Sequence, residues 1–174
     1  MLNQFCRCVV ACTIALFVAI PAAQAAPAKS GRTFGLGLVL GEPSALTIKA
    51  WQDNRQAIQG GLSFSFDDYI LIYGDYLYHY PGAFGTRDKF AASLAPYIGV
   101  GGLFAVSTKD RRDDHRYFGK SSGSIGLRIR VPLGIEWKPG HPPLGIFLEL
   151  APGLSVVPAT KAYIQGGIGI RYYF

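Results

Sequence analysis

Between Gly126 and Lys138 the chain reads GLRIRVPLGIEWK, and its hydrophobicity repeats every second residue. Leu127, Ile129, Val131, Leu133, Ile135 and Trp137 fall on one side, and Arg128, Arg130, Pro132, Gly134, Glu136 and Lys138 on the other. Successive side chains of a strand point to opposite faces, so this period selects a β-strand with one greasy and one polar face. The same split recurs in IQGGLSFSF, where Ile58, Leu62, Phe64 and Phe66 oppose Gln59, Ser63 and Ser65, and again in YIQGGIGIRYYF at 163–174. Eight stretches carry it, over 33–40, 44–52, 56–66, 69–80, 90–106, 124–138, 144–156 and 161–174. Turn-forming runs separate them: GEPS, QDNR, FDD, PGAFGTRD, the long STKDRRDDHRYFGKSSGS, KPGHPP and VPATK. The expectation is an all-β protein, an eight-stranded antiparallel up-and-down barrel.

Two such barrels are compatible with amphipathic strands. A soluble lipocalin-like barrel turns its apolar face inward around a ligand, whereas a transmembrane barrel turns it outward to lipid. The composition of the polar face separates them. It carries Lys49, Asp75, Arg128, Arg130, Glu136, Lys138, Glu149 and Arg171 among many Gly and Ser residues. A water-facing surface favours long polar side chains with few glycines. A narrow eight-strand lumen favours small residues and a few charges of both signs, because buried charges must pair. The greasy row carries none of these charges, as lipid requires: a charge at the bilayer midplane costs about 2–4 kcal/mol. Trp51, Phe66, Tyr69, Tyr78, Tyr80, Trp137, Tyr172 and Phe174 stand near strand ends, where aromatic girdles form. Most stretches also have the roughly 9–11 residues that a tilted strand needs to cross a bilayer.

Export is expected from the other end. MLNQFCRCVVACTIALFVAIPAAQA has one charge, Arg7, then an apolar run from Val9 to Ile20 and a small-x-small site at Ala23–Ala25. This is the pattern of a secretory signal peptide over 1–25, cut before Ala26, with the barrel over 26–174. The apolar run is too short for a membrane anchor of about 20 residues. VVAC, ending at Cys12, looks like a lipobox, but cleavage there would leave TIALFVAI at the mature terminus. All three cysteines (Cys6, Cys8 and Cys12) lie within the signal, which excludes disulfides and cysteine metal sites from the exported chain. The net charge is +6, but the basic residues are scattered, so it does not imply nucleic acid.

At the C-terminus, Phe174, Tyr172 and Gly169 resemble the terminal signal of bacterial outer-membrane proteins, which the barrel-assembly machinery reads. Size, strand number and this ending resemble the small OmpA/OmpX-like outer-membrane barrels. More narrowly, GLGLVLGEPSALTIKAW, RVPLGIEW, IFLELAPGLSVVPAT and the final GGIGIRYYF are similar to the BAPKO-type outer-membrane proteins, a family of short barrels. The resemblance implies an outer-membrane barrel with both termini periplasmic, in contact with outer-membrane lipid and lipopolysaccharide, and a monomer. It implies fold and location much more strongly than activity, and no catalytic motif comes with it; no cofactor is expected.

Chemistry is sparse along the rest of the chain. Of three histidines, His79 is expected near the periplasmic rim, His141 in a periplasmic turn and His115 in the long outer loop, so no metal cluster is expected. A lipid A deacylase or palmitoyltransferase is the enzymatic alternative, and His115, within DDHRYFGKSS, is the one histidine on the side such an enzyme needs. The glycine-rich GVGG and GGIG relieve crowding in a small barrel rather than cradle phosphate. The interior charges are expected to form a salt-bridge network that plugs the lumen; a gated small-solute path is the sharper alternative. Lys109, Arg111, Arg112, Arg116 and Lys120 give the long loop a basic excess, a candidate contact for lipopolysaccharide phosphates or for a host or surface polyanion. The expected role is structural or surface-interactive, not catalytic.

Overall fold

The computed structural model describes residues 32–65, 69–107, 125–157 and 160–174. Nine strands run in chain order: β1 (Phe34–Glu42), β2 (Ala45–Trp51), β3 (Gln56–Ser65), β4 (Tyr69–His79), β5 (Leu94–Ser107), β6 (Ile125–Arg130), β7 (Leu133–Trp137), β8 (Leu144–Val157) and β9 (Lys161–Tyr173). Strands β6 and β7 both lie between β5 and β8 and form one stave interrupted at Val131–Pro132. Pro132 has no N–H to give a ladder, and its ring packs fully buried inside the wall. Every neighbouring pair is antiparallel, β4 pairs β5, and β1 pairs β9 from Gly35↔Tyr173 to Glu42↔Gly166. The sheet is therefore a closed eight-stave barrel without a free edge. The expected signal peptide, Phe66 and the basic loop with His115 lie outside the described residues.

Two boundaries differ from the sequence reading. The stretch expected as strand from residue 90 opens with a short helix, α1 (Lys89–Ser93), and β5 starts only at Leu94. Asp88 caps α1, its side chain accepting from the Phe90 N–H at 3.2 Å. The stretch expected as unbroken from 124 to 138 is split by Pro132.

Alternation sets the wall's two faces. Leu36, Leu38, Ile48, Ile129, Leu148 and Ile168 point outward and are between 47 % and 54 % exposed. The charged residues of the described strands are buried inward except Glu42 and Lys161, which are exposed at strand ends. This is an inverted protein, greasy outside and charged inside, as expected for a solvent of hydrocarbon.

Candidate functional site

The lumen is layered. At the end shared by the chain termini of β1 and β9, Trp51, Ala57 and Tyr173 form an apolar cluster. At the opposite end Ala45, Leu71, Tyr73, Leu103 and Ala105 form a second one. Two polar layers lie between them.

The first layer centres on Glu136, fully buried on β7. Its Oε2 accepts from the Lys49 ammonium at 2.6 Å, its Oε1 accepts from the Tyr173 hydroxyl, and Arg171 Nη1 stands 4.0 Å away. His79 completes the group. Its Nδ1 faces the Arg55 carbonyl at 3.2 Å and so carries the proton, which leaves Nε2 to accept from Lys49 at 2.8 Å. The imidazole is packed between Trp51 and Tyr97, with ring centroids at 4.4 and 5.0 Å.

Arg130 organises the second layer. It grips Asp75 with both Nε (2.9 Å) and Nη2 (3.0 Å), and Nη2 also reaches Glu149 at 2.6 Å. Nη1 donates to Gln165 at 3.2 Å, and the guanidinium lies 4.3 Å from the Tyr73 ring centroid. The Gln59 amide donates to Asp75 and Glu149, each at 2.9 Å, while its carbonyl accepts from Arg171 at 2.8 Å. Arg171 also donates to Thr47 at 3.0 Å and stacks 3.8 Å from the Phe147 ring centroid, and the Tyr97 hydroxyl donates to Glu149 at 2.9 Å. Such bidentate, charge-assisted bonds hold strands of the barrel in fixed register.

Several of these pairs span a stave they do not belong to, and an inward glycine makes room each time. Gly101 sits in register between Asp75 on one side and Arg130 on the other. Gly134 separates Tyr97 from Glu149, and Gly37 separates Arg171 from Thr47. A Cβ at Gly101 would collide with the Asp75 carboxylate, and one at Gly37 would fall 2.8 Å from Arg171 Cγ. The glycines thus determine which side chains can meet across the lumen.

Lys49, Asp75, Arg128, Arg130, Glu136, Glu149 and Arg171 are all buried inside the barrel. Arg128 lies over the Tyr163 ring at 4.7 Å, toward the apolar end. Lys138 is half-buried at the termini end, 3.8 Å from the Trp51 ring centroid, on the wall of a recess of about 500 Å³ also lined by Arg32, Asp53, His141 and Tyr173. Gly169 faces inward beneath the Phe147 ring, while Tyr172 and Phe174 point outward in an edge contact at 5.1 Å. Trp51 does not belong to the outer girdle: it is only 6 % exposed and lies within the lumen, since it shares the parity of Lys49. Alternation puts Gln59, Gln165 and Tyr173 on the polar face but names none of their partners, and it leaves His79 and Tyr97 unassigned to the lumen. Parity with Asp75 was available to find His79.

No family model and no curated protein matches the chain. Among solved structures it is similar to the N-terminal β-barrel domain of OprF from Pseudomonas aeruginosa, with a TM-score of 0.57 over 82 % of this chain and 96 % of that one. At 15 % identity the likeness is one of fold.

Proposed function

We propose that this chain is a small outer-membrane barrel whose role is structural or surface-interactive, with a lumen closed by its charge network. The observation that carries this reading is the inversion of the wall: bare aliphatic residues outside, and acids paired with bases inside. In this reading both termini are periplasmic, so the C-terminal ends of β1, β3, β5 and β8 face outward, and the basic residues of 109–120 follow β5. Lys109, Arg111, Arg112, Arg116 and Lys120 would then meet lipopolysaccharide phosphates or an external polyanion. Gly169, Tyr172 and Phe174 would serve as the signal read by the barrel-assembly machinery. The similarity of several segments to BAPKO-type proteins supports the compartment and brings no catalytic motif.

Closure is supported by bonds that run across the lumen between opposite staves, from Lys49 to Glu136 and from Gln59 to Glu149. The test combines three measurements on the exported protein. It should fractionate with the outer membrane, shift mobility on heating in detergent, and give no steady conductance in planar bilayers. Recovery as a detergent-free soluble protein would overturn the membrane reading, and a stable open conductance would overturn the closed lumen.

A further inference from the structure

The segment from Tyr80 to Ser93, between β4 and β5, is long for a turn, and its side chains are unusual for one. Tyr80, Phe84 and Phe90 are 49 %, 55 % and 57 % exposed. Water alone gives no reason to hold three aromatic rings in the open. The backbone nevertheless has a defined course: Gly82 and Gly85 adopt φ of 78° and 94°, the Gly85 N–H donates to the Gly82 carbonyl at 2.9 Å, and Asp88 caps α1. Positive φ at both positions favours glycine.

The direction of the rings is informative. Phe90 lies against Trp137 at 5.9 Å between centroids, and Trp137 continues the outward row of Leu133 and Ile135. Tyr80 packs edge-on against Tyr78 at 5.1 Å, continuing the outward row of Tyr76. Both contacts fall on the outer side of the wall, flanking the start of β5. The rings of Tyr80 and Phe90 are therefore continuous with the lipid-facing band rather than turned over the barrel mouth, and Phe84 stands exposed on the chain between them. Arg87 and Lys89, both exposed, bracket the capping Asp88. Aromatic rings beside cations are the composition of chains that lie in the headgroup region of a bilayer.

We propose that residues 80–93 form a membrane-lying foot, with Phe84 and Phe90 inserted at the acyl boundary and Arg87 and Lys89 on the phosphates of anionic phospholipid. The foot gives the barrel a second, lateral attachment to one leaflet and fixes its depth and tilt. This rests on the reading of the chain as a membrane barrel, and the experiment separates the two. In a background carrying Trp51→Phe and Trp137→Phe, single tryptophans are placed by Phe84→Trp, Phe90→Trp and, as a reference in the wall, Ile168→Trp. The full chain is reconstituted in phosphatidylcholine vesicles containing brominated lipid, with and without phosphatidylglycerol. All three should lose fluorescence to the brominated lipid to a similar extent and resist aqueous acrylamide. Combining Arg87→Ser with Lys89→Ser should abolish any gain in quenching at positions 84 and 90 caused by phosphatidylglycerol. Strong acrylamide quenching at 84 and 90, with lipid quenching kept at 168, would overturn the foot alone. Loss of lipid quenching at 168 as well would overturn the membrane barrel. A phosphatidylglycerol effect that persists in the double serine variant would overturn the role of the two cations.

Discussion

Replacing Glu136 by glutamine tests whether the charged layer holds the barrel together. Glu136 and Lys49 are both fully buried, 2.6 Å apart, and no water-exposed atom of either can rescue the other. At an effective dielectric of about 20, a pair at 2.6 Å attracts by roughly 6 kcal/mol, against a desolvation penalty of several kcal/mol per ion. Glu136→Gln keeps the shape and one acceptor but leaves the Lys49 ammonium with a neutral imidazole as its main partner. Stranding one partner of a buried pair costs about 3–5 kcal/mol, a loss of roughly a hundred- to several-thousand-fold in the folding equilibrium. Lys161→Ala, at an exposed position, should change stability by no more than about 0.5 kcal/mol. Adding Lys49→Met to Glu136→Gln removes the stranded charge and should restore much of the loss, with a coupling of about 1–3 kcal/mol. Urea titrations in lipid vesicles, read by mobility of the unheated protein and by tryptophan fluorescence, measure the wild type, these variants and Lys49→Met alone, which the coupling requires. If Glu136→Gln behaves like Lys161→Ala, the interior is solvated and the buried pair does not hold the barrel together.

The glycine windows make a second case. Gly101→Ala should destabilise by about 1–3 kcal/mol through the collision with Asp75, whereas Gly74→Ala, with nothing within 4 Å of the new methyl, should be tolerated in the same titration. Tyr173→Phe removes a hydroxyl donor from a buried carboxylate and should cost about 1.5–3 kcal/mol, measured the same way. The two tryptophans should report opposite environments in single-tryptophan proteins: Trp137 quenched by brominated lipid, Trp51 shielded from it. Deleting Phe174 removes the backbone bond from its N–H to the Phe34 carbonyl (2.8 Å) and its contact with Tyr172, and should reduce the inserted fraction in fractionated cells.

How far the chain discloses this architecture can be followed residue by residue. Alternation places Arg128, Arg130 and Glu136 on one face of a stave, because a period of two is local and survives without knowledge of partners. The same rule put Trp51 beside Lys49, yet its position at a strand end suggested a girdle, since proximity to a rim and direction toward lipid are separate properties. Helix α1 was hidden because five residues are too few to establish a helical period, although the Asp88 cap marked its start. The pairings themselves were not legible. That Asp75 meets Arg130 over Gly101 depends on the registers of β4, β5 and β6 together, a two-dimensional relation that no single strand carries.

The seam between β1 and β9 bears on how fast and how safely this protein can form. The first strand finds its partner among the last residues, so the contact that closes the ring has nearly the greatest sequence separation the described chain allows. Such distant pairing is slow, because chain entropy must be lost before the pairing compensates for it. Until it is made, β1 and β9 each present an unpaired backbone edge beside a greasy face, the combination that invites pairing with another copy. A polypeptide emerging N-terminus first cannot remove that hazard early. The chain is best kept unfolded and apart from its copies until β9 is present, because only then can the ring close and both edges be covered.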